Sequence, residues 1–311
     1  MANYLVTGGA GFIGSHIVEE LVARNQTVRV IDNLSTGNID NIAPYMNSIE
    51  FLNDDIRDAD AVDSAMKGID FVLHQAALPS VPRSIADPIT SNEVNINGTL
   101  NILWSAHKNK IKRFVMASSS SVYGNIDVSP KHEELKLSPE SPYAVTKLTG
   151  ELYARSFFNV YGLETVCLRY FNVFGPRQDP DSPYAAVIPI FVSEMDEGKS
   201  APVNGDGSQT RDFTFVKNVV KANLLACEAD KQIAGKAMNA ACGGSISLLK
   251  LVELINKELD TDIKPTFRSN RAGDVMHSKA AIGLAKELMN YEPDIDFEEG
   301  LKITIKFLTR N

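Results

Sequence analysis

Val6-Thr7-Gly8-Gly9-Ala10-Gly11-Phe12-Ile13-Gly14-Ser15 is the stretch that decides the fold. A short apolar run, Tyr4–Thr7, leads into it, and an amphipathic stretch, Ser15–Arg24, leads out. Glycines 8, 11 and 14 therefore occupy a strand-to-helix turn. Gly8 permits the tight turn, Gly11 lets a pyrophosphate approach the backbone, and Gly14 lets the helix pack closely on the strand. A pyrophosphate there rests on the helix N-terminus, where free N–H groups and the dipole favour negative charge. Glycines alone also suit a flexible loop, so the next residues matter. Asp32 ends the second apolar run, 18 residues after Gly14. That spacing suits a carboxylate bonded to a ribose 2′-hydroxyl, and a carboxylate repels a 2′-phosphate. NAD is expected rather than NADP.

Outward from the turn, apolar runs alternate with helical patterns. The runs Tyr4–Thr7, Thr27–Ile31, Ile49–Leu52, Phe71–His74, Phe114–Ala117 and Thr165–Tyr170 read as buried strands. Between them, Ser15–Arg24, Asp60–Met66, Asn97–Lys108 and Tyr143–Tyr161 read as helices. This rhythm predicts an α/β fold: a Rossmann-type, doubly wound parallel sheet. After Arg169 the rhythm breaks at Pro176, Pro180, Pro183 and Pro189, and helical patterns return at Lys217–Ala229, Leu248–Leu259 and Ala280–Leu288. The expectation is a dinucleotide domain over 1–168 and a smaller interwoven C-terminal substrate lobe over 169–311, with segments near 210–230 and 275–290 returning to the first domain.

Bulk composition excludes several classes. The 311 residues carry a net charge of −8, which gives no general attraction to nucleic acid or an anionic membrane. The three cysteines, Cys167, Cys227 and Cys242, are scattered, and no His-Glu-x-x-His occurs. Neither a disulfide framework nor a metal is expected, and a reducing cytoplasmic setting is. Apolar runs such as Val187–Val192 are far too short to span a bilayer.

Two further motifs carry chemistry. Tyr143-Ala-Val-Thr-Lys147 follows Ser141-Pro142, a favourable N-cap and first helical residue. Residues four apart share a helix face, and an ammonium beside a phenol favours phenolate. The pair is a candidate base, or alternatively a surface Tyr–Lys pair. Ser118-Ser119-Ser120-Ser121-Val122-Tyr123-Gly124 ends the fifth strand, where open α/β sheets bind ligands. Without Tyr143 and Lys147 it would read as a polar turn. Asp55 and Ile56 follow the third strand and Gln75, Ala76 and Ala77 the fourth, within reach of the adenosine. Asp55 reads equally well as a helix N-cap.

Taken in order, the glycine turn, Ser-Ser-Ser-Ser-Val-Tyr-Gly, Tyr-x-x-x-Lys and Arg169-Tyr-Phe-Asn-Val-Phe-Gly175 resemble the extended short-chain dehydrogenase/reductases. Among these the chain is most similar to the UDP-hexose 4-epimerases, especially those that accept UDP-N-acetylglucosamine. The resemblance implies Ser119, Tyr143 and Lys147 as the catalytic set. It implies a cofactor set of Gly8, Gly11, Phe12, Ile13, Gly14, Asp32, Asn33, Asp55, Ile56, Gln75, Ala76, Ala77, Ser118, Tyr143, Lys147 and Tyr170. For the UDP-sugar it implies Ser80, Ser119, Ser120, Ser121, Tyr143 and Asn172 near the sugar. Ala186, Val187, Ile188, Pro189, Val203 and Asn204 would face the base, with Arg211, Arg271 and Asp274 on the diphosphate and ribose. Two arginines are also what an acidic chain needs to hold a diphosphate, although each alone reads as a solvated charge.

The implied reaction is C4 epimerisation through a 4-keto sugar, with NAD retained between turnovers. Related 4,6-dehydratases carry acidic residues just before Val-Tyr-Gly. Ser120 and Ser121 stand there, so elimination lacks its general acid. UDP-glucuronate 4-epimerases share the serine run and are harder to set aside; they need a cation or extra donors for the C6 carboxylate, which the sequence does not locate. A non-catalytic NAD-binding regulator would be expected to lack Tyr143 or Lys147. By the same resemblance, Ser278 leaves room for an N-acetyl group at C2, unless it is an ordinary surface residue. A homodimer is implied, joined through the helices at Asn97–Lys108 and Tyr143–Tyr161.

Overall fold

A computed structural model describes residues 1–180, 182, 185–269 and 276–309. The sheet has seven parallel strands. They are β1 (Asn3–Thr7), β2 (Thr27–Ile31), β3 (Ile49–Leu52), β4 (Phe71–His74), β5 (Arg113–Ser119), β6 (Thr165–Tyr170) and β7 (Lys236–Ala240). Their order across the sheet is β7-β6-β5-β4-β1-β2-β3. The central strands read as nearly continuous apolar runs because helices cover both faces. On one face, helices Phe12–Ala23, Val216–Glu228 and Gly283–Met289 pack with Val6, Val30, Leu73 and Leu168. On the other, Ala59–Met66, Thr99–Lys108 and Pro142–Tyr161 pack with Leu5, Ile31, Val72 and Phe114. Leu5, Val6, Val72 and Leu73 are all fully buried, each contributing about 1.5–3 kcal/mol.

The expected strands lie where the apolar runs placed them, lengthened by one residue in β1 and by three in β5. β7 was not anticipated. Lys-Ala-Met-Asn-Ala has no β-branched residue, yet Met238 and Ala240 are fully buried and the strand pairs with β6 along its whole length. Burial against the helices outweighs its weak intrinsic strand preference.

Strand order reverses between β1 and β4, where the helices that follow them leave on opposite faces. A crevice opens there at the carboxyl ends of the strands. A third apolar cluster lies beyond it. Phe174, Phe191, Val203, Phe213, Leu251 and Ile305 pack helices Val187–Asp196, Leu248–Leu259 and Phe297–Leu308 together. Among the described residues, no helix is long and apolar enough to cross a membrane.

Candidate active site

A cavity of about 420 Å³ occupies the crevice, and every residue of the expected cofactor set lines it. Gly8 adopts φ +69°, and a Cβ there would lie 2.7 Å from the Ala76 nitrogen. A Cβ on Gly14 would overlap the Gly8 carbonyl oxygen. The turn is thus packed too closely for any side chain at either position. Gly11 precedes helix Phe12–Ala23, whose first turn has no acidic residue and no side-chain cap. Its free N–H groups suit an anion. The Asp32 carboxylate accepts from the Ala10 N–H at 2.9 Å and the Leu34 N–H at 2.8 Å, and burial pushes its pKa up. This cradle fits a dinucleotide.

Asp55 lines the same cavity, but its carboxylate is engaged. Arg57 donates through Nη2 at 2.7 Å and Nε at 3.0 Å, and Asn33 Nδ2 donates at 2.8 Å. Hydrogen bonding to Arg57 brings the carboxyl down to about 2. The helix cap considered for Asp55 belongs instead to Asp58, which accepts from the N–H groups of Asp60 and Ala61.

Helix Pro142–Tyr161 delivers three side chains to β5 from successive turns of one face. Tyr143 lies close to Ser119, which acts to lower its pKa. Lys147 donates to the Ala117 carbonyl at 2.9 Å, with its ammonium 5.9 Å from the Tyr143 ring centre. Glu151 accepts from the Ser118 hydroxyl at 2.5 Å. Sequence reasoning expected Lys147 to lower the Tyr143 pKa. Burial instead pushes the phenol up, with nearby Ser119 acting against it. Burial also brings Lys147 down to about 8. Desolvation therefore disfavours both charged forms. Ser118 departs from its expected role in a similar way: it lines the cavity, but its hydroxyl proton is committed to Glu151. Ser121 donates its hydroxyl to Ser119 Oγ at 2.9 Å in the turn Ser120–Tyr123.

Residues to which the sequence reading gave no site role brace this site. Glu151 also holds Arg169 through two bonds of 2.9 and 2.7 Å, and Arg169 donates to the Tyr123 hydroxyl at 2.9 Å. One buried ion pair thus grips both ends of the serine turn. His74 stays neutral because burial brings it down to about 3. Its ring lies between the Thr7 and Thr99 hydroxyls at 2.7 and 2.9 Å. Thr99 gives its proton to the Asn95 carbonyl, so His74 Nε2 carries the hydrogen and Nδ1 accepts from Thr7. Asn95 lies in a π-helical turn, Glu93–Gly98, and bonds both backbone groups of Leu78 and the Thr146 hydroxyl. Asn223 ties Tyr170 to Gln75. The only signal for these residues was polar character inside apolar surroundings.

A second cavity of about 270 Å³ shares Ala185 and Ala186 with the first. Asn172, Val187, Ile188, Asn204 and Arg211 from the expected substrate set line it, with Gln209 and Phe213. Val203 does not. It alternates with Pro202 and Asn204 on a three-residue strand, so its fully buried side chain faces the lobe core. Pro189 is likewise buried. Ser278 pairs with Arg211 in adjacent strands, and Ser80, at φ +96°, lines the first cavity. Arg271 and Asp274 lie outside the described residues. Arg83 also lines the first cavity near Ser80 and Tyr143, a cation the sequence reading did not find.

Comparison with known proteins agrees with this geometry. The profile of the NAD dependent epimerase/dehydratase family matches residues 4–241. A UDP-N-acetylglucosamine 4-epimerase from Methanobrevibacter ruminantium M1, solved with UDP-N-acetylmuramic acid, is 44% identical with a TM-score of 0.94, covering 98% of this chain and 97% of that one. A UDP-glucose 4-epimerase from Thermotoga maritima, solved with UDP-glucose, is 36% identical with a TM-score of 0.93, at 98% of both chains. A UDP-glucuronic acid 4-epimerase from Bacillus cereus, solved with UDP-glucuronic acid and NAD, is 30% identical with a TM-score of 0.91, at 99% of both. A dTDP-glucose 4,6-dehydratase matches with similar coverage, so overall likeness does not separate these activities. The chain belongs to the NAD dependent epimerase/dehydratase family.

Proposed function

We propose that the enzyme interconverts UDP-glucose with UDP-galactose, and UDP-N-acetylglucosamine with UDP-N-acetylgalactosamine, by epimerisation at C4. The observation that carries this reading is the serine turn. Ser119 lies close enough to Tyr143 to lower its pKa, and Ser120 and Ser121, where a dehydratase would need an acid, offer only hydroxyls. When bound, NAD supplies the acceptor and the donor of the C4 hydride. Tyr143 holds and removes the proton of the 4-hydroxyl, and returns it after the 4-keto sugar has presented its other face. Ser119 orients that hydroxyl and steadies the phenolate. Lys147 supplies positive charge beneath the ring. Arg211 anchors the diphosphate while the sugar turns, with Asn172 and Asn204 lining the way to the base. Ser278 leaves the C2 substituent unobstructed.

A second reading, a UDP-glucuronate 4-epimerase, is favoured by Arg83 alone, a cation in the cavity wall able to meet a C6 carboxylate. The test is to incubate the purified protein, without added NAD, with UDP-glucose, UDP-N-acetylglucosamine and UDP-glucuronate separately. Products are followed by proton NMR. Appearance of the galacto epimers of the first two supports the proposal. Turnover of the uronate alone would transfer the assignment to the second reading, and a 4-keto-6-deoxy product would refute both.

The functional unit we propose is a homodimer. Trp104, Val145, Leu152, Val160 and Tyr161 are exposed on helices Thr99–Lys108 and Pro142–Tyr161, an apolar face suited to a second copy. Sedimentation at micromolar concentration tests it, with a monomer as the contrary result.

A further inference from the structure

Arg211 and Phe213 both line the second cavity, and Asp212 between them is fully buried. In an extended chain, neighbours that face a cavity turn the residue between them away from it. Turned away, Asp212 spends each of its four polar atoms on another part of the chain. Its N–H donates to the Ser278 carbonyl at 2.7 Å, and its carbonyl accepts from Asn172 Nδ2 at 3.1 Å. Carboxylate Oδ1 accepts from the Cys242 N–H at 3.2 Å, and Oδ2 from the Ala280 N–H at 3.0 Å. One residue thus joins the chain at Asn172, the loop at Cys242 and the strand His277–Ser278 with its sequel Ala280.

The joined segments carry the wall of the second cavity. Arg211 pairs with Ile246 on one side and with Ser278 on the other. Its Nη1 donates to the Thr210 carbonyl at 2.9 Å, and the Thr210 N–H donates to the Met276 carbonyl at 2.9 Å. Asn172, which lines the cavity, is held at φ +36° between the Asp212 carbonyl and the Thr214 N–H, which donates to its carbonyl at 3.3 Å. Burial pushes the Asp212 carboxyl up to about 6, against the pull of the Ala280, Cys242, Gly244 and Gly243 backbones. An ionised carboxylate therefore stands there at neutral pH at a cost to stability. What it supplies is an acceptor on each oxygen. An amide in the same place would turn an NH2 group against one of the two backbone N–H donors.

We infer that Asp212 is a positioning residue for the nucleotide: by clamping the Cys242 and Ala280 backbones to the Arg211 strand, it fixes where the Arg211 guanidinium meets a diphosphate. Asp212 itself lines neither cavity and acts through Arg211. The inference rests on the reading that the second cavity takes the UDP half of the substrate, and the test separates the two.

The probe is UDP, titrated by calorimetry onto the NAD-loaded protein. Asp212→Asn is expected to weaken UDP by about tenfold, the weight of one charged hydrogen bond. KM for the UDP-sugar should rise by about the same factor, with kcat and NAD retention within about threefold of the unsubstituted protein. Arg211→Ala should weaken UDP by about tenfold to hundredfold. The Asp212→Asn/Arg211→Ala double variant should bind no worse than Arg211→Ala alone, because the carboxylate acts through the guanidinium. A second measurement needs no variant. A clamp that helps UDP bind is itself tightened by UDP, so hydrogen exchange at the Cys242 and Ala280 amides should slow by about tenfold on binding, although neither residue lines a cavity.

UDP affinity unchanged in Asp212→Asn would overturn the inference, and so would strictly additive losses in the double variant. A fall in kcat or in NAD retention as large as the rise in KM would overturn it too, since Asp212 would then serve the fold at large. Exchange at Cys242 and Ala280 that ignores UDP would overturn it whether or not the variant folds. Failure of UDP to bind the unsubstituted protein would instead refute the proposed function, and the inference with it.

Discussion

Glu151→Ala should cost the protein several kilocalories per mole of stability, although residue 151 lies two helical turns beyond Tyr143. The Glu151 and Arg169 side chains are 6% and 5% exposed, and two bonds of 2.9 and 2.7 Å join them. Removing the carboxylate leaves a buried guanidinium whose remaining partner is the Tyr123 hydroxyl at 2.9 Å. It also strips the Ser118 hydroxyl of its acceptor. Uncovering one member of a buried ion pair costs about 3–5 kcal/mol, against about 0–1 kcal/mol for an exposed pair. The expected loss is thus about 3–5 kcal/mol, and the melting temperature should fall by on the order of 10 °C. Urea unfolding followed by circular dichroism at one fixed NAD concentration measures it, because ligand adds its own stabilisation. The double variant Glu151→Ala/Arg169→Met should recover much of the loss, since it removes the orphaned charge as well. A single-variant loss under about 1 kcal/mol, the range of an exposed pair, would refute the reasoning. Strictly additive effects in the double variant would refute it equally.

Tyr143→Phe should cut kcat by about 10²-fold to 10⁴-fold while leaving NAD and UDP affinities within about threefold; a near-normal rate would remove Tyr143 from the mechanism. Ser278→Tyr should abolish turnover of the N-acetylated substrates and spare the hexoses; equal loss on both pairs would remove the gate at C2. Asp212 is fully buried, and burial pushes its carboxyl from 3.8 up to about 6. An acid whose folded value is raised favours the native state while protonated. This contribution is complete below about 3.8, fades as pH rises through about 6, and is worth about 3 kcal/mol at most. Denaturation midpoints of Asp212→Asn between pH 4 and 7 should lack that downward slope, and an unchanged slope would place the titration elsewhere.

The sheet was legible because β-branched runs bounded by turn residues announce buried parallel strands, and the glycine turn fixed where the crevice opens. Tyr143 and Lys147 were legible because a helical period of 3.6 converts spacing four into a shared face. Glu151 lies on that same face by the same arithmetic. Its partners Arg169 and Ser118 come from other strands, however, and only the fold brings them together. His74 and Asn223 are illegible for the same reason, as buried polar groups defined by distant partners. The protonation behaviour of Tyr143 was misread because spacing shows the neighbouring ammonium but not the depth at which both groups are buried. In the lobe, strands of two or three residues are too short to establish a period of two, and so Val203 was assigned to the wrong side.

Tyr143, Lys147 and Glu151 share one helix face, and that arrangement has a consequence for redesign. The inner stripe of helix Pro142–Tyr161 works as a ruler with marks one turn apart, carrying Tyr143, proposed as the base, at one end and structural bracing at the other. A single-residue insertion between positions 143 and 151 would rotate the marks below it by about 100° and uncouple bracing from chemistry in one event. Val145 and Leu152 lie on the outward stripe at 46% and 59% exposure. Substitutions there leave the ruler in register, so the exposed apolar stripe of this helix can be rewritten without moving the stripe that carries Tyr143, Lys147 and Glu151.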